Sequence, residues 1–136
     1  MAPVHVAVEE YTTPNPVTAE LDMPIGDVQQ LMREHGVRHL PVVRDGRVLG
    51  VISDRDVRVV LGLSTEHRHQ VRAGDIMAPQ PLTVNAAAPL DEVAYAMSER
   101  KVGSAIVNDE NGEFLGIFTA TDALNALIEL TRRLRR

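Results

Sequence analysis

The chain repeats itself. Sliding the 136-residue sequence along itself gives a register of 65 residues in the first part of each half. Pro14, Pro16, Thr18 and Pro24 fall on Pro79, Pro81, Thr83 and Pro89, and Val28, Met32, Glu34 and Val37 fall on Val93, Met97, Glu99 and Val102. After one inserted residue near Asn111 the register becomes 66, and Gly46, Leu49, Gly50, Ser53 and Asp56 meet Gly112, Leu115, Gly116, Thr119 and Asp122. Self-similarity at a fixed period marks one supersecondary unit used twice. The copies, roughly 10–62 and 75–128, are each too short to bury much core alone. They are therefore expected to pack on each other as one module.

Within each copy the hydrophobic pattern is legible. Ile25, Val28, Leu31 and Met32 recur at helical spacing behind Pro24 and stop near Gly36, which predicts a helix. Leu40 to Val43, a turn at Arg44-Asp45-Gly46, and Val48 to Ile52 read as a hairpin of largely buried strands, with Pro41 at a strand start or edge. A second helix follows Ser53, turns Val57, Val60 and Leu61 inward, and ends at Gly62 as a C-terminal stop. The second copy repeats this from Pro89 to Arg100, Ser104 to Val107, Phe114 to Phe118, and a longer helix from Ala120. Short extended segments at Val17-Thr18 and Leu82-Thr83 precede the first helices, giving strand–helix–strand–strand–helix per copy. The expectation is an α/β (α+β) fold of two pseudo-symmetric halves: residues 8–63, a linker 64–72, residues 73–131 and a basic tail 132–136.

Composition narrows the function. A hydrophobic content of 44% supplies a core, and a net charge of −5 from 19 acids and 14 bases disfavours wrapping a polyanion, so no nucleic-acid partner is expected. Aromatic residues make up only 3%, too few for base-stacking platforms. The absence of cysteine excludes disulfides, thiolate metal sites and cysteine nucleophiles. No apolar run is long enough for a membrane span, and Met1 to His5 lacks the layout of a signal peptide, so a cytoplasmic protein is expected.

The clearest chemical motif is Gly50-Val51-Ile52-Ser53-Asp54-Arg55-Asp56 with its partner Gly116-Ile117-Phe118-Thr119-Ala120-Thr121-Asp122. In each, a buried strand ends, a hydroxyl residue follows, and an Asp stands three positions later where a helix opens. The plainer reading is a capping box. The functional reading uses the same placement: an acid at a helix start can accept from two vicinal ribose hydroxyls while helix N–H groups and the hydroxyl face a phosphate. Duplication at equal offsets favours the second.

Together with Gly36-Val37-Arg38-His39-Leu40-Pro41 and the Pro16-Val17-Thr18 and Pro81-Leu82-Thr83 segments, these motifs resemble a cystathionine-β-synthase (CBS) domain tandem over about residues 8–130. The resemblance implies two α/β halves about a pseudo-twofold axis, dimerisation into a disk, and adenosine-containing ligands in clefts between the halves. Asp56 and Asp122 match the ribose-binding acids, and Ser53 and Thr119 the adjacent hydroxyls. Thr18 and Thr83 match positions lining the adenine cleft, and Arg38, His39 and Arg55 match polar or basic positions near phosphates. Pro41, Ser104, Ala105 and Thr121 complete the implied nucleotide-binding set. Gly103-Ser104-Ala105-Ile106 replaces Arg38-His39-Leu40-Pro41 in the second copy, leaving fewer cations there, so the two clefts are not expected to bind equally well.

Other chemistries find less support. His35, His39, His67 and His69 lie close in sequence, but without a supporting carboxylate spacing they predict no metal site. Ser53 lacks the setting of a nucleophile elbow, there is no phosphate loop, and Lys101 is the only lysine, so no catalytic set emerges. The basic stretch Leu130 to Arg136 reads as a helix end complementing the macrodipole, or else as a contact for an acidic partner or a membrane surface. Leu124, Leu127 and Ile128 are expected to close the core or a dimer seam. The sequence thus predicts a non-enzymatic regulatory module, homodimeric and signalling to a separate effector. It would need no cofactor and would sense AMP, ADP, ATP or S-adenosylmethionine, with or without Mg2+. The alternative is a structural dimerisation subunit with non-functional clefts.

Overall fold

The structure, a computed structural model, describes residues 5–63 and 65–135, without the side chains of Thr65, His67 and Arg68. In chain order, a 3-10 turn (Val8–Glu10) and strand β1 (Thr13–Pro14) lead to α1 (Ile25–His35), β2 (His39–Arg44), β3 (Arg47–Ser53) and α2 (Asp54–Leu61). Then come α3 (Thr65–Gln70), α4 (Ala73–Ile76), β4 (Ala78–Pro79), β5 (Thr83–Asn85), α5 (Leu90–Arg100), β6 (Ser104–Asn108), β7 (Phe114–Thr119) and α6 (Ala120–Leu134). The fold is mixed α+β, with the helix–hairpin–helix unit occurring twice. No helix among the described residues is long and apolar enough to cross a membrane.

The compact units cut across the sequence copies. Pro16–Pro81 form a middle unit, and the residues before Pro16 and after Pro81 form a split unit. The lead-in prolines explain the cut. In the middle unit β4 pairs with β3, Ala78 opposite Val51 and Pro79 opposite Gly50. In the split unit β1 pairs with β7 in the equivalent register, Thr13 opposite Ile117 and Pro14 opposite Gly116. Each lead-in segment thus closes one hairpin before the chain runs on to a different one.

The middle unit is built around the β2–β3 hairpin. Its two-residue loop, Asp45-Gly46, has φ of 51° and 77°, the paired left-handed conformation of a tight hairpin turn. Leu40, Val42 and Ile52 are fully buried and meet Val28 and Met32 of α1 and Val57 and Val60 of α2 in one core. Helix α1 ends where Gly36, at φ 62°, lets the Val37 N–H reach back to the Met32 carbonyl at 3.0 Å. Pro41 lies on the edge strand β2, as expected.

In the split unit the sheet order is β1-β7-β6-β5, with β5 parallel to β6. Its core joins Val93 and Met97 of α5 to Ala105 and Val107 of β6, Phe118 of β7 and Val8 from the N-terminal turn. The inserted residue near Asn111 falls in the longer β6–β7 loop, where the Asp109 carboxylate accepts from Asn111 and Glu113 N–H at 2.8 and 3.0 Å.

Two local expectations are corrected and two are narrowed. The 64–72 stretch, expected as a linker without periodicity, carries α3 and is tied into the middle unit, the Ile25 N–H donating to the Val71 carbonyl at 3.2 Å. A six-residue helix anchored through neighbouring backbone leaves little apolar pattern to read. The extended Val17-Thr18 segment shrinks to a single bridge at Ala19, because a turn from Glu20 to Met23 follows at once. Gly62 does end α2 as expected, in a right-handed conformation at φ −79°. Of the two places expected for Leu124, Leu127 and Ile128, the core is excluded: they are 47–58% exposed, and Ala126 is the buried residue of α6.

Candidate functional site

Strand β3 delivers Ser53 in an extended conformation, and the chain turns straight into α2. The Ser53 N–H donates to Asp56 Oδ2 at 3.0 Å, the Ser53 hydroxyl donates to the same oxygen at 2.9 Å, and the Asp56 N–H donates to Ser53 Oγ at 3.2 Å. This is a complete capping box. It engages only one carboxylate oxygen: among the described residues no hydrogen-bond donor reaches Asp56 Oδ1. The hairpin register sets His39 opposite Ser53, and the Arg38 carbonyl accepts the Asp54 N–H at 2.8 Å. Arg38 and His39 are therefore held at the opening of α2 by backbone geometry.

Electrostatics at this point are mixed. Burial lowers the pKa of His39 below its ordinary 6.5, against the pull of Asp56 and Asp54 and with the help of Arg38. Arg38 and Arg55 are exposed. Among the described residues neither forms an ion pair, whereas Arg58 holds Asp54 at 3.3 Å. The residues at the start of α2 thus include two exposed arginines without an ion pair among the described residues and an imidazole whose neutral form burial favours.

The split unit repeats the cap with one addition. The Thr119 N–H and hydroxyl donate to Asp122 Oδ2 at 2.9 and 3.1 Å, and the Asp122 N–H donates to Thr119 Oγ1 at 3.4 Å. Ser104 stands opposite Thr119 as His39 does opposite Ser53, and the Gly103 carbonyl accepts the Ala120 N–H at 3.0 Å. Here, however, a hydroxyl also comes from far along the chain. Thr13 Oγ1 lies 3.2 Å from Asp122 Oδ1 and 3.4 Å from Oδ2.

The residues singled out in the sequence fall into two sets. Arg38, His39, Ser53 and Asp56, with Arg55 exposed alongside, gather at the start of α2; Ser104, Thr119 and Asp122, with Thr121 exposed, gather at the start of α6. Thr18 is half-buried beside Ala19, whose N–H donates to the Pro41 carbonyl at 2.8 Å. Pro41 and Ala105 are buried, and their side chains offer no polar contact. Thr83 is exposed on β5, opposite Ile106. The sequence reading missed Thr13 and Asp54. Thr13 was findable, since the 65-residue register sets it on Ala78, a hydroxyl against a methyl. His67 lies outside the described side chains, and among the described residues no three His, Asp or Glu gather as a metal would require.

A carboxylate with one oxygen fixed by the backbone and the other facing outward is a rigid acceptor for a hydroxyl or diol, and the cations on the same helix opening suit a phosphate. The CBS domain family model matches residues 8–62 and 73–129. The protein MJ1225 of Methanocaldococcus jannaschii is 30% identical over 127 residues, covering 86% of this chain and 45% of that protein. The structure of CBSX2 in complex with AMP, the Arabidopsis thaliana CBS-pair protein, superposes with a TM-score of 0.79 at 27% identity, covering 92% of this chain and 98% of that one. The CBS domain of a bacterial CNNM/CorC family Mg2+ transporter in complex with ATP gives a TM-score of 0.80 at 27% identity, covering 90% and 87%. The chain spans 45% and 24% of the length of two of the curated relatives it matches.

Proposed function

The chain belongs to the CBS domain family, and we propose that it is a regulatory module that binds adenosine-containing nucleotides, with Asp56 and Asp122 as the acids that accept the ribose hydroxyls. The observation that carries the reading is the divided duty of Asp56. Oδ2 is consumed by the cap, Oδ1 is open, and Arg38 and Arg55 supply positive charge beside it. Ser53 and Thr119 are the neighbouring hydroxyls, His39 and Ser104 stand opposite them, and Thr121 takes the position of Arg55 in the split unit. Thr18, Pro41, Thr83 and Ala105 line the adenine side. Two related structures hold AMP and ATP, which share the adenosine part. The module acts in the cytoplasm, assigns no residue to catalysis and passes ligand occupancy to a separate effector. A second copy covers the exposed Leu124, Leu127 and Ile128 of α6.

The completeness of both caps favours a second reading, in which the acids only hold helix starts and the chain is a structural interaction subunit. Calorimetric titration separates the two. A charge-assisted hydrogen bond contributes about 1.5–3 kcal/mol when shielded, so losing one ribose hydroxyl weakens binding roughly 10- to 150-fold. AMP should therefore bind well above 2′-deoxy-AMP. Asp56→Asn keeps an acceptor for the cap but turns the outward oxygen into an amide donor, and should abolish that preference in the middle unit. Equal affinities of the two nucleotides for the wild type refute the ribose reading and leave the structural one.

A further inference from the structure

Resting on the ribose reading, we infer that Thr13 makes the two acids unequal: its hydroxyl competes for the oxygen of Asp122 that a ribose hydroxyl would use, leaving Asp56 as the acceptor without a competing donor. The two caps are otherwise near copies, with the same three bonds within 0.2 Å of each other. What differs is the strand laid beside each. Thr13 of β1 lies opposite Ile117, three residues before Ala120 opens α6, and Ala78 of β4 lies opposite Val51, three residues before Asp54 opens α2. At this one equivalent position the split unit has a hydroxyl and the middle unit a methyl.

Thr13 is presented rather than incidental. Upstream, Val8 is fully buried and its N–H donates to the Ala88 carbonyl at 2.8 Å; downstream, the Asn15 N–H donates to the Leu115 carbonyl at 3.2 Å. These anchors hold the backbone of Thr13 beside Asp122. Its contact is long, forked between both carboxylate oxygens and exposed, so a ligand can displace it, at a cost in affinity. One modest hydrogen bond forfeited corresponds to a factor of about 2 to 10 in binding.

A second asymmetry is separable from this one. Gly103 and Thr121 stand where the middle unit has Arg38 and Arg55, so the split unit attracts any anion less strongly. Missing cations weaken ribo and deoxy ligands alike. Competition from Thr13 reduces only the gain from the ribose hydroxyl, and so appears in the ratio of the two affinities.

The test is titration of AMP and 2′-deoxy-AMP, fitted to two sites, into the full chain in two backgrounds, Asp56→Asn, where only the split unit can still prefer ribose, and Asp122→Asn, where only the middle unit can, with melting curves as a folding control. Thr13→Val, which keeps the shape and removes the hydroxyl, should raise the ribo/deoxy ratio in the Asp56→Asn background by about 2- to 10-fold, and Thr13→Ser should return it to the starting value. Ala78→Thr should lower the ratio in the Asp122→Asn background by a similar factor. A ribose preference in the middle unit together with a split-unit ratio unmoved by Thr13→Val overturns this inference alone, as does a split unit that binds neither nucleotide with or without the Thr13 hydroxyl. Equal binding of the two nucleotides by the wild type, or binding of neither, overturns the ribose reading and this inference with it.

Discussion

Adding one methyl group at Gly116 should unseat β1. A Cβ built there would stand 2.2 Å from the Thr13 carbonyl oxygen, 3.0 Å from Pro14 Cα and 3.0 Å from Thr12 Cγ2. The first two are backbone atoms, so no rotamer change relieves the overlap, and the strand must retreat by roughly 1 Å, enough to break a hydrogen bond. The loss has an upper limit, because Thr13 and Pro14 are exposed and no core is opened. What goes is the β1–β7 pairing, the Asn15–Leu115 bond and the Thr13–Asp122 contact. At about 0.5–1.5 kcal/mol for each hydrogen bond, Gly116→Ala should cost about 2–3 kcal/mol. For a chain of this size that is a fall in melting temperature of roughly 6–15 °C. Gly26 in α1 is the control: a Cβ there meets nothing within 4 Å, so Gly26→Ala should stabilise the protein by about 0.5–1 kcal/mol through helix propensity. Thermal melts by circular dichroism on the two variants decide the matter. A Gly116→Ala protein that melts within 2 °C of wild type would refute the argument that the strand is pinned against this glycine.

His39 should give stability a pH dependence of definite sign. Its pKa is below 6.5 when folded, so between the folded value and 6.5 the unfolded chain holds a proton that the folded one does not. The contribution is complete above about pH 6.5 and is lost as pH falls through that window; urea titrations from pH 5 to 7.5 should show His39→Gln with the shallower slope, and parallel profiles would contradict the burial argument. Lys101 ends α5 at φ 56°, where Gly36 ends α1, so Lys101→Gly should stabilise by about 0.5–1 kcal/mol after the entropy cost of glycine, read as a higher urea midpoint. A lower midpoint would mean that the lysine side chain holds the cap.

The helices and hairpins were legible because each repeats a period that burial enforces. Val28 and Met32, and Val93 and Met97, sit at helical spacing and are buried in their respective cores, and the Asp45-Gly46 turn is dictated by two left-handed residues. The division into units was not legible. A duplicated sequence suggests a cut between the copies, but β1 and β4 are two-residue strands whose attachment rests on backbone bonds and on the closeness that Gly116 and Gly50 permit. Backbone pairing of this kind leaves no hydrophobic pattern. The exposure of Leu124, Leu127 and Ile128 was hidden for the opposite reason, since an apolar stripe on a helix looks the same whether this chain or another covers it.

Of the residues named from the sequence, the structure gathers Arg38, His39, Ser53 and Asp56 at the start of α2. Two readings of Ser53-x-x-Asp56, a cap and a ribose acceptor, looked like alternatives because a sequence assigns one role to one side chain. The two are compatible in the structure: the cap uses Oδ2, 3.0 Å from the Ser53 N–H, and on the proposed ribose reading Oδ1 is the oxygen left for the ligand. A capped acid gives up little further side-chain entropy on binding, so the structural bond is what preorganises the acceptor. Where both oxygens find protein donors, as on Asp122, the same preorganisation works against a ligand. On the ribose reading proposed above, the discriminating residue lies on neither the cap nor the strand that leads to it, but 109 positions away along the chain at Thr13, a separation that no local motif spans.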